Sequence, residues 1–177
     1  MIQECSHKGS LVPRTLFIRL PYLPRRILSL YLFRLVKDIS DICCSFSREL
    51  AYQICDQFRV LGKPIGLKEA VIIGGLDMMK QALTLAEKPH VVIATPGRLA
   101  DHLKSTDTVD LKRIKFLVLD EADRLLDPSF GDDLQVIFDN VPKKRQTLLF
   151  SATLTDTLQE LREMSGNDPF YHEVKSE

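Results

Sequence analysis

The residues best suited to chemistry form an acidic cluster at positions 120–123, with the sequence Asp-Glu-Ala-Asp. The cluster directly follows the apolar run at residues 116–119, which is typical of a buried strand. Carboxylates at the carboxyl end of such a strand can hold Mg²⁺ and orient a water molecule in a nucleotide-hydrolysing site. Acidic residues here also commonly cap the following helix, so the cluster alone leaves both interpretations open.

The catalytic interpretation gives each polar side chain a role. Asp120 would hold Mg²⁺ through a water molecule, and Glu121 would orient and deprotonate the attacking water. Ser151 and Thr153 follow the next predicted strand and should lie at the same sheet edge, where they would form a hydroxyl relay with Asp123. The two hydroxyl residues are equally suited to opening the helix predicted after them.

The usual partner of such a site is a glycine-rich phosphate loop with the pattern G-x-x-x-x-G-K-[ST]. None of the eight glycines in the 177-residue chain belongs to this pattern. The sequence therefore predicts the acidic half of a nucleotide site without the loop that would hold the phosphates.

Three further segments combine glycine, free amide groups or arginine at predicted strand ends and helix starts, which suits them to binding phosphate groups. Each segment alone is equally typical of an ordinary turn or helix start. Their candidate phosphate-binding residues are Arg48, Gly74, Gly75, Thr95, Pro96, Gly97 and Arg98. Since most of these segments follow strands of one predicted sheet, we expect them to meet along one edge.

The elements that position these residues are predicted from hydrophobic periodicity. Short apolar runs, typical of strands buried on both faces of a parallel sheet, alternate with stretches of helical period, which favours a doubly wound α/β fold. Strands are predicted at 70–73, 90–94, 116–120 and 146–150, with one more at 39–46. Helices are predicted at 47–61, 77–86, 97–104, 122–126, 130–140 and 155–164.

Composition restricts the class of protein. The chain has 24 basic and 24 acidic residues, but residues 1–45 carry seven basic and three acidic ones, so the remainder has a net charge of −4. The part of the chain with alternating predicted strands and helices therefore lacks the strong excess of basic residues that is typical of nucleic-acid-binding domains. The four cysteines show no zinc-ligand spacing or disulfide framework, which predicts an intracellular protein, and no apolar run is long enough to predict a membrane span.

Together and in order, the five segments resemble motifs of the DEAD-box family of ATP-dependent RNA helicases. The resemblance covers residues 48–164, and the stretches 52–68, 88–103 and 145–158 are most similar to a member of ribosome-biogenesis type. The segments match motif Ia at 48–51, the double-glycine motif at 74–75, motif Ib at 95–99, motif II at 120–123 and motif III at 151–153.

The resemblance implies the first of two RecA-like domains, which together bind ATP, Mg²⁺ and RNA and separate short RNA duplexes. Motif Ia, motif Ib and the double glycine would contact the RNA sugar-phosphate backbone, so RNA binding would be largely independent of base sequence. It further implies a monomer without a membrane partner, pre-ribosomal factors as partners, and a nuclear or nucleolar location.

The sequence departs from the family pattern at its N-terminal side. Phe46-Ser47 stands where the family has Pro-Thr, and residues 1–45 match neither the adenine-reading motif nor the phosphate loop. We therefore expect a partial RecA-like, P-loop NTPase-type parallel sheet that lacks the phosphate-loop strand. Residues 1–45 would be poorly ordered or partly fill the sheet, residues 46–170 would form an incomplete helicase domain, and residues 171–177 a tail.

These departures leave three functional hypotheses open. The chain could be a fragment of an RNA helicase that is itself inactive, for lack of the phosphate loop and the second domain. It could act as a non-catalytic module that binds RNA or a partner, or be an unstable product of a truncated transcript. A different ATPase class with the same acidic strand end is disfavoured by the presence of 95–99 and 151–153.

Overall fold

A computed structural model of the chain describes residues 15–19, 41–105, 109–125, 127–152 and 170–173. They contain one sheet of seven strands in the order β3-β4-β2-β5-β6-β1-β7, and every neighbouring pair is parallel. The strands are β1 (Thr15–Arg19), β2 (Asp41–Ser45), β3 (Glu69–Ile72), β4 (Val91–Ala94), β5 (Phe116–Asp120), β6 (Gln146–Ser151) and β7 (Phe170–Glu173).

The sheet is buried on both faces because alternate residues of each central strand enter different hydrophobic clusters. In β2, Ile42 and Cys44 belong to one cluster and Cys43 to the other, and all three are at most 1% exposed. This alternation explains why the strand sequences are continuously apolar and do not alternate with polar residues.

Helices cover the two faces of the sheet. The helix α1 lies on one face, where Leu50, Ile54 and Phe58 are buried, and residues of the other four helices join the cluster on the opposite face. The helices are α1 (Arg48–Gly62), α2 (Met78–Ala86), α3 (Pro96–Ser105), α4 (Ala122–Leu125) and α5 (Gly131–Asn140), with 3₁₀ turns at Lys63–Ile65 and Pro128–Phe130.

Ser47 and Asp77, the first residues of two predicted helices, cap those helices in the structure. The Ser47 side chain accepts a hydrogen bond from the Leu50 backbone N–H at 3.1 Å. The Asp77 carboxylate accepts from the N–H groups of Met79 and Lys80, at 2.8 and 3.2 Å. Each cap satisfies backbone donors that have no partner within the helix, and so fixes where the helix begins.

The predicted α/β fold class with a parallel sheet is confirmed. Each predicted strand and helix within the described residues lies within one residue of its predicted bounds at either end, except that β2 begins two residues later than expected, at Asp41. The helix predicted at 155–164 lies outside the described residues. No helix of the described part is long and apolar enough to cross a membrane.

The N-terminal side of residue 46 contributes two strands to the sheet. The strand β2 is central, between β4 and β5, and β1 lies between β6 and β7. The expected gap, at the position of a missing phosphate-loop strand, is therefore absent from the described part of the sheet. The residues that follow β1 begin with Leu20-Pro21 and do not form a phosphate-loop sequence.

The first residue of β2, Asp41, is an acidic group inside the core. Its side chain is 5% exposed, and no hydrogen-bond donor among the described residues reaches its Oδ1 atom. Burial raises the pKa of this carboxyl from 3.8 to about 7, although the positive charge of Lys115 acts in the opposite direction. A buried carboxylate without a full set of partners is costly, so the neutral form is favoured in the folded chain.

We predict that Asp41 makes the folded chain less stable as the pH rises from about 4 to about 7. In this window the unfolded chain has already lost the Asp41 proton while the folded chain still holds it, so the stability contribution is present at low pH and is lost as pH passes the folded pKa. Asp41→Asn should flatten this dependence and raise the free energy of unfolding at pH 8 by roughly 1–4 kcal/mol. Urea titrations at pH 5 and pH 8 measure both effects.

Asp139→Asn provides the matched control, because Asp139 is an exposed acid near the end of α5. This change should leave the difference in the free energy of unfolding between pH 5 and pH 8 as it is in the unaltered chain. An Asp41→Asn variant that kept the full pH dependence would show that Asp41 is not its source.

Candidate functional site

The acidic cluster begins at the last residue of β5. Asp120 pairs in register with Ser45 of β2 and is 9% exposed. Its Oδ1 atom accepts a hydrogen bond from the Glu121 backbone N–H at 3.0 Å. The carboxylate is thus held at the carboxyl edge of the sheet by the first peptide group of the turn that follows.

Glu121 has a left-handed backbone, with φ of +52°. This conformation costs a residue with a side chain on the order of 1 kcal/mol. It allows α4 to begin at once, since the Glu121 carbonyl accepts hydrogen bonds from the N–H groups of Arg124 and Leu125, at 2.9 and 3.1 Å. A strained residue at a predicted catalytic position is a feature typical of functional sites.

Arg124 connects the acidic turn to the end of β2. Its Nε atom lies 3.7 Å from Glu121 Oε2, and its guanidinium carbon lies 4.8 Å from the centre of the Phe46 ring. Phe46 stands where the DEAD-box pattern has proline. The departure from the family pattern therefore supplies an aromatic face for this arginine.

The hydroxyl residues predicted to serve the acidic cluster are described in part. Ser151 is the last residue of β6, the strand beside β5, and is 3% exposed. It therefore shares the carboxyl edge with Asp120, as predicted. Thr153 lies outside the described residues, and the predicted relay to Asp123 stays a prediction.

Sequence reasoning missed Ser45, which is fully buried at the end of β2 and is the register partner of Asp120. Its hydroxyl donates a hydrogen bond to the Ser47 carbonyl at 3.1 Å. Its position at the end of an apolar run could have identified it. The next residue, Phe46, is where the sequence departs from the family pattern before motif Ia.

The double-glycine segment is joined to Arg48 by a close contact. Gly75 has φ of +81°, a region that residues with side chains rarely adopt. A Cβ atom at Gly75 would lie 2.6 Å from Arg48 Nη1, so the exposed guanidinium rests against the Gly75 backbone and would have to move aside for a side chain. Two segments predicted separately as phosphate-binding are thus in contact.

A second arginine reaches the same loop from α3. Arg98 Nη1 donates a hydrogen bond to the Leu76 carbonyl at 2.8 Å, while its Nε atom lies 3.9 Å from Asp101 Oδ2. Arg48 and Arg98 therefore both contact the loop at residues 74–76. The two guanidinium groups thus converge on one glycine-rich turn that contains two of the candidate RNA-binding residues.

The remaining residues of the segment that resembles motif Ib have local structural contacts. The Thr95 N–H donates to the Ile72 carbonyl at 3.0 Å, and Pro96 is buried as the first residue of α3. A Cβ atom at Gly97 would lie 3.2 Å from Asp133 Oδ2, so glycine permits close packing of α3 against α5. Gly97 thus has a packing role that the sequence did not reveal, beside its predicted role in RNA binding.

A buried polar pair behind the glycine loop was also missed. The Gln81 Nε2 atom donates to the Ile73 carbonyl at 2.8 Å, and Gln81 Oε1 lies 3.2 Å from His102 Nε2. Burial lowers the pKa of His102, and the nearby charge of Arg98 lowers it further, so the neutral imidazole is favoured. Both residues lie inside predicted helices, where a single Gln or His gives no distinctive pattern.

The acidic edge offers carboxylate oxygens of the kind that bind Mg²⁺. Within the described ranges no group of three or more His, Cys, Asp or Glu side chains is placed to hold a metal ion. Mg²⁺ needs only one or two protein carboxylates when water and phosphate complete its shell, and Asp120 at the carboxyl edge can supply one. A nucleotide triphosphate lacks its usual holder, because the chain has no phosphate-loop sequence.

Comparison with solved structures supports this architecture. A DEAD box protein from the hyperthermophile Methanococcus jannaschii superposes with a TM-score of 0.81 at 30% identity, covering 91% of this chain and 45% of that one. A hypothetical ATP-dependent RNA helicase from Sulfolobus tokodaii superposes with a TM-score of 0.78 at 24% identity, covering 90% and 48%. The second match supports the fold alone.

Sequence comparison gives similar relatives. Proteins named probable ATP-dependent RNA helicase DDX49, from Mus musculus and Homo sapiens, are each 62% identical over 133 residues, which cover 73% of this chain and 28% of theirs. The ATP-dependent rRNA helicase RRP3 of Yarrowia lipolytica is 53% identical over 123 residues, or 70% of this chain and 26% of its own. The chain thus spans less than a third of the length of these relatives.

The family model described as DEAD/DEAH box helicase matches residues 26–161, well over half of the chain. The matched range contains all five segments that resemble family motifs, and the structure places four of them at the carboxyl edge of one parallel sheet with the start of α1 beside them. On this evidence the chain belongs to the DEAD/DEAH box helicase family.

Proposed function

We propose that the chain is a fragment of an ATP-dependent RNA helicase, corresponding to its first RecA-like domain, which keeps the helicase's RNA-contacting residues but does not itself hydrolyse ATP. The observation that carries the proposal is the convergence of Arg48 and Arg98 on the loop at residues 74–76. The family and the relatives named as rRNA helicases support rRNA processing as the setting.

The RNA-binding groups are of the kind that recognises a sugar-phosphate backbone. The guanidinium of Arg48 is exposed and lies against Gly75, where the backbone carries no side chain. Arginine and backbone N–H groups bind phosphate oxygens and carry no base information, so binding would be largely independent of RNA sequence. The candidate RNA contacts are Arg48, Gly74, Gly75, Thr95, Pro96, Gly97 and Arg98.

The acidic edge would serve ATP hydrolysis in a helicase with a complete site. Asp120 would hold Mg²⁺ through water, and that ion would supply charge neutralisation for phosphoryl transfer. Glu121 would orient and deprotonate the attacking water. Asp123, Ser151 and Thr153 would connect the nucleotide site to the loops that contact RNA.

We expect this chain by itself to be inactive as an ATPase. Phosphoryl transfer depends on a lysine and amide groups of the phosphate loop, and on an arginine supplied to the transition state. The 177 residues contain no phosphate-loop sequence, so the triphosphate would have no holder beside Asp120. The relatives named as helicases are more than three times as long as the segment they share with this chain.

A non-catalytic binding module is the second candidate function. The same convergence of two arginines on a glycine loop would serve a protein that only binds RNA. An unstable product of a truncated transcript is the remaining alternative, which a cooperative thermal transition of the purified chain would contradict. Pre-ribosomal partners, a nucleolar location and a monomeric state belong to the helicase proposal.

We predict that removing either arginine weakens RNA binding. Arg48→Ala and Arg98→Ala should each raise the dissociation constant for a labelled single-stranded RNA roughly tenfold, the cost of one charge-assisted contact. Each change should also reduce the dependence of affinity on salt by about one released counterion. Fluorescence anisotropy at about 50 mM and about 200 mM salt measures both quantities.

Arg113→Ala is the matched control for this experiment. Arg113 is exposed and lies shortly before β5 begins, at the opposite edge of the sheet. Its removal changes the net charge by the same amount but should leave the dissociation constant within a factor of about two, since distant exposed charges are screened. Equal losses in all three variants would indicate non-specific attraction.

We predict no RNA-stimulated ATP hydrolysis by this chain. Phosphate release in the presence of saturating RNA and Mg²⁺ should be the same for the unaltered chain and for Glu121→Gln, because the variant removes a base that has no held triphosphate to act on. Turnover by the unaltered chain above that of the variant would show that another segment replaces the phosphate loop.

A further inference from the structure

Two buried side chains form a bridge from α3 to the double-glycine loop. Gln81 in α2 is 5% exposed and His102 in α3 is fully buried. Gln81 binds the Ile73 carbonyl with one end of its amide, at 2.8 Å, and His102 Nε2 with the other, at 3.2 Å. The bridge therefore ends on the peptide group directly before Gly74.

The chemistry of the three groups fixes where the protons lie. The Ile73 carbonyl can only accept, so the Gln81 end that faces it must be the NH₂ group. The Gln81 oxygen then faces His102, and Nε2 of His102 must carry the proton that it donates. Every hydrogen bond of the bridge has a defined direction, from His102 through Gln81 to Ile73.

The loop is held on both sides by residues of the same helix. Arg98 binds the Leu76 carbonyl directly at 2.8 Å, and His102, one helical turn later, acts on the Ile73 carbonyl through Gln81. Residues four apart lie on the same face of a helix. The peptide groups of Gly74 and Gly75 lie between these two fixed carbonyls.

This arrangement has more polar groups than packing alone requires. A buried amide and imidazole stabilise a fold only when they are hydrogen-bonded, and apolar residues of similar size would fill the same space but leave the Ile73 carbonyl without this donor. What apolar residues could not supply is a fixed orientation of the Ile73 peptide group. The bridge thus sets the geometry of a loop that carries little side-chain packing of its own.

We propose that Gln81 and His102 are positioning residues for RNA binding, which hold the Gly74-Gly75 peptide groups in register with the Arg98 guanidinium so that both engage one RNA backbone. The inference rests on the proposed RNA-binding function and extends it to residues that do not themselves touch RNA. Both side chains are buried, so they act through the loop and not by direct contact.

The test compares three substitutions at His102 in the full chain. His102→Leu removes the donor but keeps an apolar side chain of similar size, and should weaken affinity for single-stranded RNA about tenfold, like the loss of one charge-assisted contact. His102→Gln should restore most of the affinity, because its terminal amide nitrogen reaches about as far as Nε2. His102→Asn keeps a polar amide that is too short to reach Gln81, and should behave like His102→Leu.

A stability control separates positioning from general destabilisation. Val141→Ala removes buried apolar atoms at the opposite edge of the sheet, where Val141 is 6% exposed. Urea titration gives the stability of each variant, and RNA affinity is compared per folded molecule. A purely structural role for the bridge predicts that His102→Leu and Val141→Ala bind RNA equally well.

Backbone ¹⁵N relaxation gives a readout that does not use RNA. The amide order parameters of Gly74 and Gly75 should fall in His102→Leu and His102→Asn relative to the unaltered chain and to Val141→Ala, because the loop has lost one of its anchors. Unchanged order parameters at both glycines would overturn the inference.

The outcomes distinguish this inference from the function on which it rests. If the unaltered chain binds no RNA, the proposed function fails and the inference fails with it. If the unaltered chain binds RNA and His102→Leu binds with the same affinity and salt dependence, the inference alone fails. Weaker binding by His102→Leu and His102→Asn, with recovery in His102→Gln, supports it.

Discussion

Parallel pairing of neighbouring strands places every candidate functional residue of the described chain on one side of the molecule. The register aligns Ser45 with Asp120 and Cys44 with both Ala94 and Leu119. The carboxyl ends of β2, β4 and β5 therefore lie side by side, and each chain segment that leaves the sheet does so at the same edge. If one of these strands shifted by a single residue, each of its side chains would move to the opposite face of the sheet, so the core and the site depend on the same register.

Backbone strain and the burial of polar side chains are both tolerated at this edge. Glu121 adopts a left-handed backbone, and Gln81 and His102 are polar groups enclosed by helices. Each would be unfavourable if stability were the only requirement, because a left-handed glutamate and a buried imidazole both lower the free energy of unfolding. All three lie near the turns after β3 and β5, beside the candidate functional residues.

The sequence predicts the parts of this fold that depend on local pattern. Apolar runs located the central strands, and Ser47 and Asp77 marked helix starts that the structure confirms. The shared edge could be predicted because parallel strands all end there. The contact of Arg48 with Gly75 could not, because it joins residues far apart in the chain through a side-chain rotamer that no periodicity encodes.

The other features that the sequence did not predict depend on pairing between distant segments, or on the burial of a residue type that is usually exposed. The position of β1 between β6 and β7 follows from pairing across most of the chain, to which local propensity is blind. Aspartate is usually an exposed residue, yet Asp41 is the first residue of a central strand and is buried. Gly97 was interpreted from the resemblance as a ligand contact, whereas the structure also shows that it allows α5 to approach α3.

The two glycines of the loop differ in what the protein itself demands of them. At Gly75 the backbone angle disfavours any residue with a side chain, and a Cβ atom would also displace the Arg48 guanidinium. At Gly74 the backbone has no such angle, and among the described residues no atom lies within 4 Å of where a Cβ would be. Folding alone would therefore accept alanine at position 74. Any intolerance of a methyl group there would measure how closely an outside molecule approaches the chain.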